Sequence, residues 1–402
     1  MSKPLQGIRV IELGTHMAVP IAARAMADWG AEVIKIEPPN GEPWRPMGKT
    51  YGVPARDDHN PLFQTPNMNK KSILINLKSP EGSQAMHKLL ASADVFLTNT
   101  RPNALAKLGF SYEALKEKYP RLIYAHFGGY GPKGPDRDRP GFDVAAYWSR
   151  AGMPIEWTMA GNTPLKPPGG FGDATCGAML TAGLLASLIG REKTGKGEYL
   201  QISLYGAALW FNNCGVVTYQ PQYKLNYPKA VKDLKNPHAV LYKSKDGDWF
   251  LISIPDWDAR YAKCLTMLGL EKYISDERFQ GLANFAKDPE FVVNTLQNEG
   301  YGRVGTKDLE ERLIKADFVS QKLLHPSEVV KDEQAWANGY LKEITLEDGD
   351  KVALPANPID FASFQEDYKL APQPGADTKA VLKDVGYDDA AIANMLAAGA
   401  VK

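Results

Sequence analysis

Cysteine is scarce in this chain. Its 402 residues include only Cys176, Cys214 and Cys264. An odd count without ligand-like spacing implies neither a disulfide framework nor a cysteine metal centre. Histidine is nearly as sparse: His16, His59, His87, His126, His238 and His325 stand singly, without metal-site spacing, so no metal is expected. Net charge is missing too. The 47 basic residues balance 47 acidic ones, which gives no electrostatic reason to bind nucleic acid or an anionic membrane surface. The apolar run from Gly177 to Gly190 is shorter than a bilayer span, and Met1-Ser-Lys-Pro-Leu-Gln-Gly7 has no secretory apolar region. A reducing, cytoplasmic setting is expected. No Gly-x-Ser-x-Gly elbow occurs, and Ser187 and Ser203 fall inside regular elements, so a serine triad has little support.

What is present describes an α/β protein. With 44% hydrophobic and 23% charged residues the chain is globular, and its length exceeds one ordinary core. Two domains are expected. Ile8–Leu13 reads as a strand, Pro20–Trp29 as a helix and Ala31–Ile36 as a second strand, a βαβ opening of Rossmann type. Yet the first turn, Glu12 to Pro20, lacks the spaced glycines that admit a pyrophosphate, so NAD or FAD is not expected. Residues 38–66 read as a long surface loop. Strands at 73–77, 94–98 and 122–127 then alternate with helices at 80–93, 103–108 and 111–118, predicting a mostly parallel sheet covered on both faces. The glycine-proline loop Gly128 to Asp143 follows a strand's carboxyl end, where such sheets bind ligands.

Tyr219 to Pro237 changes character, aromatic and lysine-rich, and marks a domain boundary. Beyond it Asp246-Gly247 signals a hairpin, followed by helices near 257–268, 290–297 and 307–315, which make a smaller α+β domain. A helix over 326–336, a hairpin at Glu347 to Asp350 and helices over 378–384 and 388–397 complete the chain. The expected division is 1–218, 219–325 and 326–402.

The stretch from Pro167 to Leu188 carries the candidate chemistry. A proline-glycine loop gives way after Gly172-Asp173 to small and apolar residues at helical spacing, so Asp173 lies where a loop enters a buried helix. The positive end of the helix dipole favours an ionised carboxylate there. On this stretch alone, Asp173 reads as an N-cap. Lys70, Lys71 and Lys78, with Arg101 and Lys107, offer point charges for phosphates or merely a solvated rim.

Together these features resemble the class III coenzyme A transferases, of the formyl-CoA and carnitine CoA-transferase type, over essentially the whole chain. The resemblance rests on Pro4-Leu-Gln-Gly-Ile-Arg-Val10, Gly30-Ala-Glu-Val-Ile-Lys-Ile-Glu37, Asn69-Lys-Lys-Ser72, Leu77-Lys-Ser-Pro-Glu-Gly82, Gly128-Gly-Tyr-Gly131, Gly172-Asp173 and Lys193-Thr-Gly-Lys-Gly197, in that order. The segments Gly134 to Asp143 and Asp332 to Asn338 resemble the 2-hydroxyacyl-CoA transferase subgroup in particular. The resemblance implies that Asp173 is the nucleophile and carries CoA as an aspartyl thioester, with the glycine loop and helix start supplying oxyanion donors. It places the CoA cleft at Met17, Ala18, Ile75, Asn76, Leu77, Lys78, Asn99, Thr100, Arg101, Lys107, Phe127, Gly128, Gly129 and Tyr130. Met17, Pro38, Gly128 and Lys107 replace glutamine, arginine, lysine and arginine of the formyl-CoA pattern, and the glycine run that closes over oxalate is missing. Tyr147, Trp148, Trp210 and Phe211 then suggest a bulkier apolar acyl group. In the related α-methylacyl-CoA racemases the loop reads Gly-His-Asp. Here it reads Gly141-Phe-Asp143, and phenylalanine cannot shuttle a proton. A non-catalytic CoA-binding module is the other alternative. The resemblance further implies an interlocked homodimer, CoA and acyl-CoA as substrates with no permanently bound cofactor, and a C-terminal part that returns to the large domain.

Overall fold

The computed structural model describes residues 3–402. They form two compact units. The larger comprises the described residues up to Ala151, with Pro167–Asn212 and Glu333–Lys402; the smaller comprises Gly152–Lys166 and Asn213–Asp332. The divisions near 218 and 325 thus fall at 212 and 332, and 152–166 goes with the smaller unit. Nothing in the composition of that short segment marks it as separate.

The larger unit is built on a parallel sheet of β1 (Arg9–Leu13), β2 (Glu32–Glu37), β3 (Lys71–Leu74), β4 (Val95–Thr98), β5 (Ile123–Gly128) and β6 (Tyr199–Ser203). Its spatial order is β3-β2-β1-β4-β5-β6, the Rossmann arrangement, which reverses direction between β1 and β4. Loops after those two strands therefore part on either side of a crevice. Central strands are apolar on both faces, Val10, Ile11, Val95, Phe96 and Leu97 being fully buried, as a sheet covered on both sides requires. β3 begins and ends earlier than its apolar run predicts. Its last partner is Glu37, which pairs with Leu74, and beyond that Ile75 bridges instead to Val401 near the C-terminus.

Two helices define the site's scaffold. The first, Ala18–Asp28, follows β1 directly. The second, central helix runs Phe171–Thr194, 24 residues, past the apolar run that ends at Gly190. By length and composition this helix could cross a membrane, which the apolar run alone did not reveal. Within the larger unit it buries Cys176, Leu180 and Leu184 along one face. Gly177 lets the two helices touch: a Cβ there would lie 2.9 Å from the Ala18 carbonyl oxygen. Other differences are local. Residues 38–66 contain a tight helical turn, Arg45–Tyr51, and a helix, Pro61–Asn67, capped by the Asn60 side chain. The expected single helix over 326–336 is broken in two, Pro326–Val329 and Glu333–Ala337.

The smaller unit packs β7 (Tyr242–Lys243), β8 (Trp249–Ser253) and β9 (Val319–Lys322) as an antiparallel sheet against helices including Trp257–Leu268 and Thr306–Lys315. Its core is aromatic, with Tyr242, Trp257, Phe279, Phe285 and Tyr301 at 1% exposure or less. The Asp246-Gly247 turn joins β7 to β8 as expected, Gly247 supplying a φ of +102°. A second hairpin, β10 (Leu341–Thr345) and β11 (Lys351–Pro355), belongs to the larger unit.

Candidate active site

Asp173 is the third residue of the central helix, not its cap. The helix begins after Gly170, whose φ of +89° suits glycine. The carboxylate that meets the helix start belongs to Asp143, at the head of a wide π-type turn, Asp143–Ser149. Its Oδ2 accepts the Gly170 N–H at 2.5 Å, which engages the backbone donor of the residue that precedes the helix. Gly172 has to be glycine, because a Cβ there would sit 2.5 Å from both Asp143 Oδ1 and the Tyr147 ring.

This arrangement reverses the expected electrostatics of Asp173. Burial, and then the neighbouring charge of Asp143, push its carboxyl up to about 7, and no hydrogen bond offsets them. The dipole argument fails because Asp143 already neutralises the helix end. Burial raises Asp143 as well, but the three backbone N–H groups oppose that rise. One turn along the helix Cys176 is fully buried, and burial followed by both aspartates keeps its thiol protonated.

The loops after β1, β4 and β5 converge on this turn. Met17 lies against Gly170, 3.9 Å from the position its Cβ would take. The β1 and β4 loops are stapled by Asn99, whose Oδ1 accepts the Thr15 N–H at 3.0 Å while its Nδ2 donates to the Thr15 carbonyl at 2.8 Å. On the β5 side Gly129 and Gly141 pack backbone to backbone, a Cβ on either meeting the other's Cα at 3.0 Å. That contact sets the loop carrying Asp143. Aromatic rings gather beside this turn. The His16 ring lies 5.4 Å from Phe142 and 6.0 Å from Trp44, Trp44 lies 6.0 Å from Tyr51, and Trp148 lies 5.5 Å from Phe171.

Beneath the β1 loop lies a buried charge cluster that the sequence did not reveal. Lys35 Nζ pairs with Glu12 at 2.9 Å and Glu42 at 3.0 Å, and donates to the Gly14 carbonyl at 3.0 Å. Glu42 in turn accepts the His16 N–H at 3.1 Å. Lys70, read as a phosphate holder or a rim lysine, is neither. It is buried, 2.7 Å from Glu12 and 2.8 Å from the Pro20 carbonyl, and burial pulls it down to about 8. Lys71 pairs with Glu32 at 2.6 Å.

A profile of CoA-transferase family III matches residues 5–378. This chain belongs to that family. It is 37% identical over 391 residues to the (R)-2-hydroxy-4-methylpentanoate CoA-transferase of Clostridioides difficile, spanning 97% of each chain. It is 38% identical over 391 residues to the cinnamoyl-CoA:phenyllactate CoA-transferase of Clostridium sporogenes, spanning 95% of this chain and 93% of the other. A crystal structure of a CAIB/BAIF family protein from Brucella suis has the same fold, with TM-score 0.80 at 26% identity, over 96% of this chain and 100% of that one. The protein is a class III CoA-transferase, and CoA thioesters are its substrates.

The residues expected to line the transferase's CoA cleft divide by burial. Arg101, Lys107 and Lys78 are exposed; Met17, Asn99, Thr100, Gly128, Gly129 and Tyr130 are half-buried at strand ends. Ala18, Ile75 and Phe127 are buried, so their side chains serve the core. Asn76 donates its N–H to the Ala400 carbonyl at 2.8 Å, and Leu77 packs on the sheet's core. Arg139 and Arg150 each stand 5.5 Å from the Tyr130 ring, two cations that no sequence motif marks. A cavity of about 190 Å³ is lined by Tyr112, Tyr124, His126 and Tyr199, and Asp173 does not line it. Chemistry rather than volume singles out Asp173. His59, Asp348 and Asp350 bring ligand-type atoms within 4.8 Å of one another, but Arg56 also lies 3.0 Å from Asp348, so ion pairing accounts for the cluster.

Proposed function

We propose that the enzyme moves CoA from an acyl-CoA donor to a 2-hydroxy acid with an apolar side chain, through an aspartyl-CoA thioester on Asp173. The observation that carries this reading is a half-buried carboxylate near the start of the central helix, with the Gly170 N–H beside it already bonded to Asp143, in a family III chain. The Asp173 carboxylate attacks the donor's thioester carbonyl. The C–S bond breaks, giving a mixed anhydride and CoA thiolate. The thiolate attacks the aspartyl carbonyl, releasing the donor's carboxylate and leaving aspartyl-CoA. The acceptor carboxylate then repeats both steps in reverse, so no net proton or electron is exchanged.

Substrate class is supported from two sides. The relatives named above act on (R)-2-hydroxy-4-methylpentanoate and phenyllactate, and the exposed rings of Tyr51, Phe142 and Phe171 stand beside this turn. Such rings suit a branched or aromatic acyl group. Arg101 and Lys107 hold the CoA phosphates in this reading, with the half-buried strand-end residues along the pantetheine arm. The enzyme works in the cytoplasm as a homodimer, in amino-acid fermentation. Exposed Ile189, Trp210 and Phe211, at 61%, 67% and 44%, supply apolar surface for a second copy.

The test is a panel of acyl-CoA donors against 2-hydroxy acids, with borohydride or hydroxylamine trapping and mass spectrometry. Modification of Asp173 in the presence of a competent donor, and not without it, is expected. Modification elsewhere, or none with any competent donor, would overturn the mechanism.

A further inference from the structure

Asp143 has no assigned part in the transfer, yet it is the residue most closely built around Asp173. It is 4% exposed, and its Oδ2 lies 2.5 Å from the Gly170 nitrogen. Two glycines exist to admit it. Gly172 leaves room for its Oδ1, and Gly141 packs on Gly129 to bring the loop close. An acidic side chain at the third helical position, as Asp173 is, can reach back to the backbone N–H of the cap residue. Here that group, the Gly170 N–H, is already taken by Asp143.

We propose that Asp143 is a positioning residue for the nucleophile: by occupying the helix start it keeps Asp173 from capping its own helix and leaves it as a reactive carboxylate. This rests on the reading of Asp173 as the group that is acylated. Its consequence is a bias toward the covalent state. In the free enzyme the charge of Asp143 acts on Asp173 in a poorly solvated turn. Converting Asp173 to an anhydride or a thioester removes its own charge, so repulsion present before the reaction is relieved by it. The overall exchange is unaffected, because acylation of Asp173 and its release are paired.

The other groups around this turn do not titrate near neutrality. Cys176 and Tyr147 are both pushed up, chiefly by burial. On the β1 loop His16 is held below the ordinary imidazole range by burial and by Lys35, and so is uncharged. Beside burial, Asp143 is left as the charge that acts on Asp173.

The experiment titrates the full-length protein labelled with carboxyl-¹³C aspartate, with the Asp173 resonance assigned by its loss in Asp173→Asn. In Asp143→Asn the Asp173 midpoint should fall by about one pH unit or more. The fraction of enzyme trapped as aspartyl thioester at fixed donor concentration should fall by about tenfold. Gly172→Ala keeps both carboxylates but drives a Cβ against Asp143, and should shift the midpoint the same way. It serves if Asp143→Asn does not fold. A midpoint unchanged in a folded variant overturns the proposal, because a merely structural Asp143 would not move it. If the midpoint moves but acyl-CoA labels another residue, the nucleophile reading fails instead, and the proposal fails with it.

Discussion

Asp173 illustrates how one side chain can carry two opposite expectations. Its position after a glycine loop reads as a cap, favouring the ionised form, whereas burial and Asp143 raise it to about 7. The pH dependence follows from the sign of that shift. In the unfolded chain the carboxyl loses its proton near pH 4, and in the folded chain near 7, so the unfolded state binds fewer protons in that window. Its contribution to stability therefore falls as pH rises through the window and levels off above it. Asp173→Asn should be more stable than the parent at pH 8, by about 1–2 kcal/mol, with the gap closing near pH 4. Urea titrations at the two pH values read this directly. The same variant should lose acid-to-acid CoA exchange by roughly a thousandfold or more. In the unaltered enzyme, the quenched-flow rate at which aspartyl-CoA forms from the donor, with release of the donor's carboxylate, should rise about tenfold per unit below pH 7 and flatten above it.

Among the elements, the β1 loop shows most clearly what a run of letters conceals. Gly14 to Met17 lacks a dinucleotide fingerprint, and nothing in those residues announces how they are held. The answer lies in Lys35 on β2, which ties Gly14, Glu12 and Glu42 together out of water. Removing one member of such a set strands the others. Lys35→Met should cost about 3–5 kcal/mol in chemical denaturation, and should raise the KM for acyl-CoA because Met17 then loses its register against Gly170. Arg101→Ala, by contrast, touches an exposed residue at a helix start. It should raise the KM for CoA esters about 5–10-fold in steady-state assays, with kcat and melting temperature unchanged.

For the whole molecule, alternation of strands and helices was enough to predict the parallel sheet and the smaller α+β domain. Each element buries an apolar face of the right period, and that pattern is local. The limits of the two units were less legible. Gly152–Lys166 joins the smaller one by contacts distant in sequence, such as Ala160 N–H to the Lys229 carbonyl at 2.8 Å. Association is a property of the surface, and here it is argued from exposed Ile189, Trp210 and Phe211. Light scattering should give a dimer mass, and Trp210→Glu should lower it toward that of one chain. Chelators should leave exchange unaffected, since Arg56 already balances the His59–Asp348 pair.

The sequence by itself determined a Rossmann-type sheet without a dinucleotide loop and a carboxylate after Gly172, and its ordered motifs, by their resemblance to the class III transferases, pointed to CoA as the carrier. Only the tertiary structure decided what that carboxylate faces. Asp143 lies 30 residues before Asp173, and Lys35 lies 23 after Glu12, so neither pairing leaves a periodic trace in the chain. Protonation and loop position depend on which groups are brought within a few ångströms of one another, in a place that water does not reach.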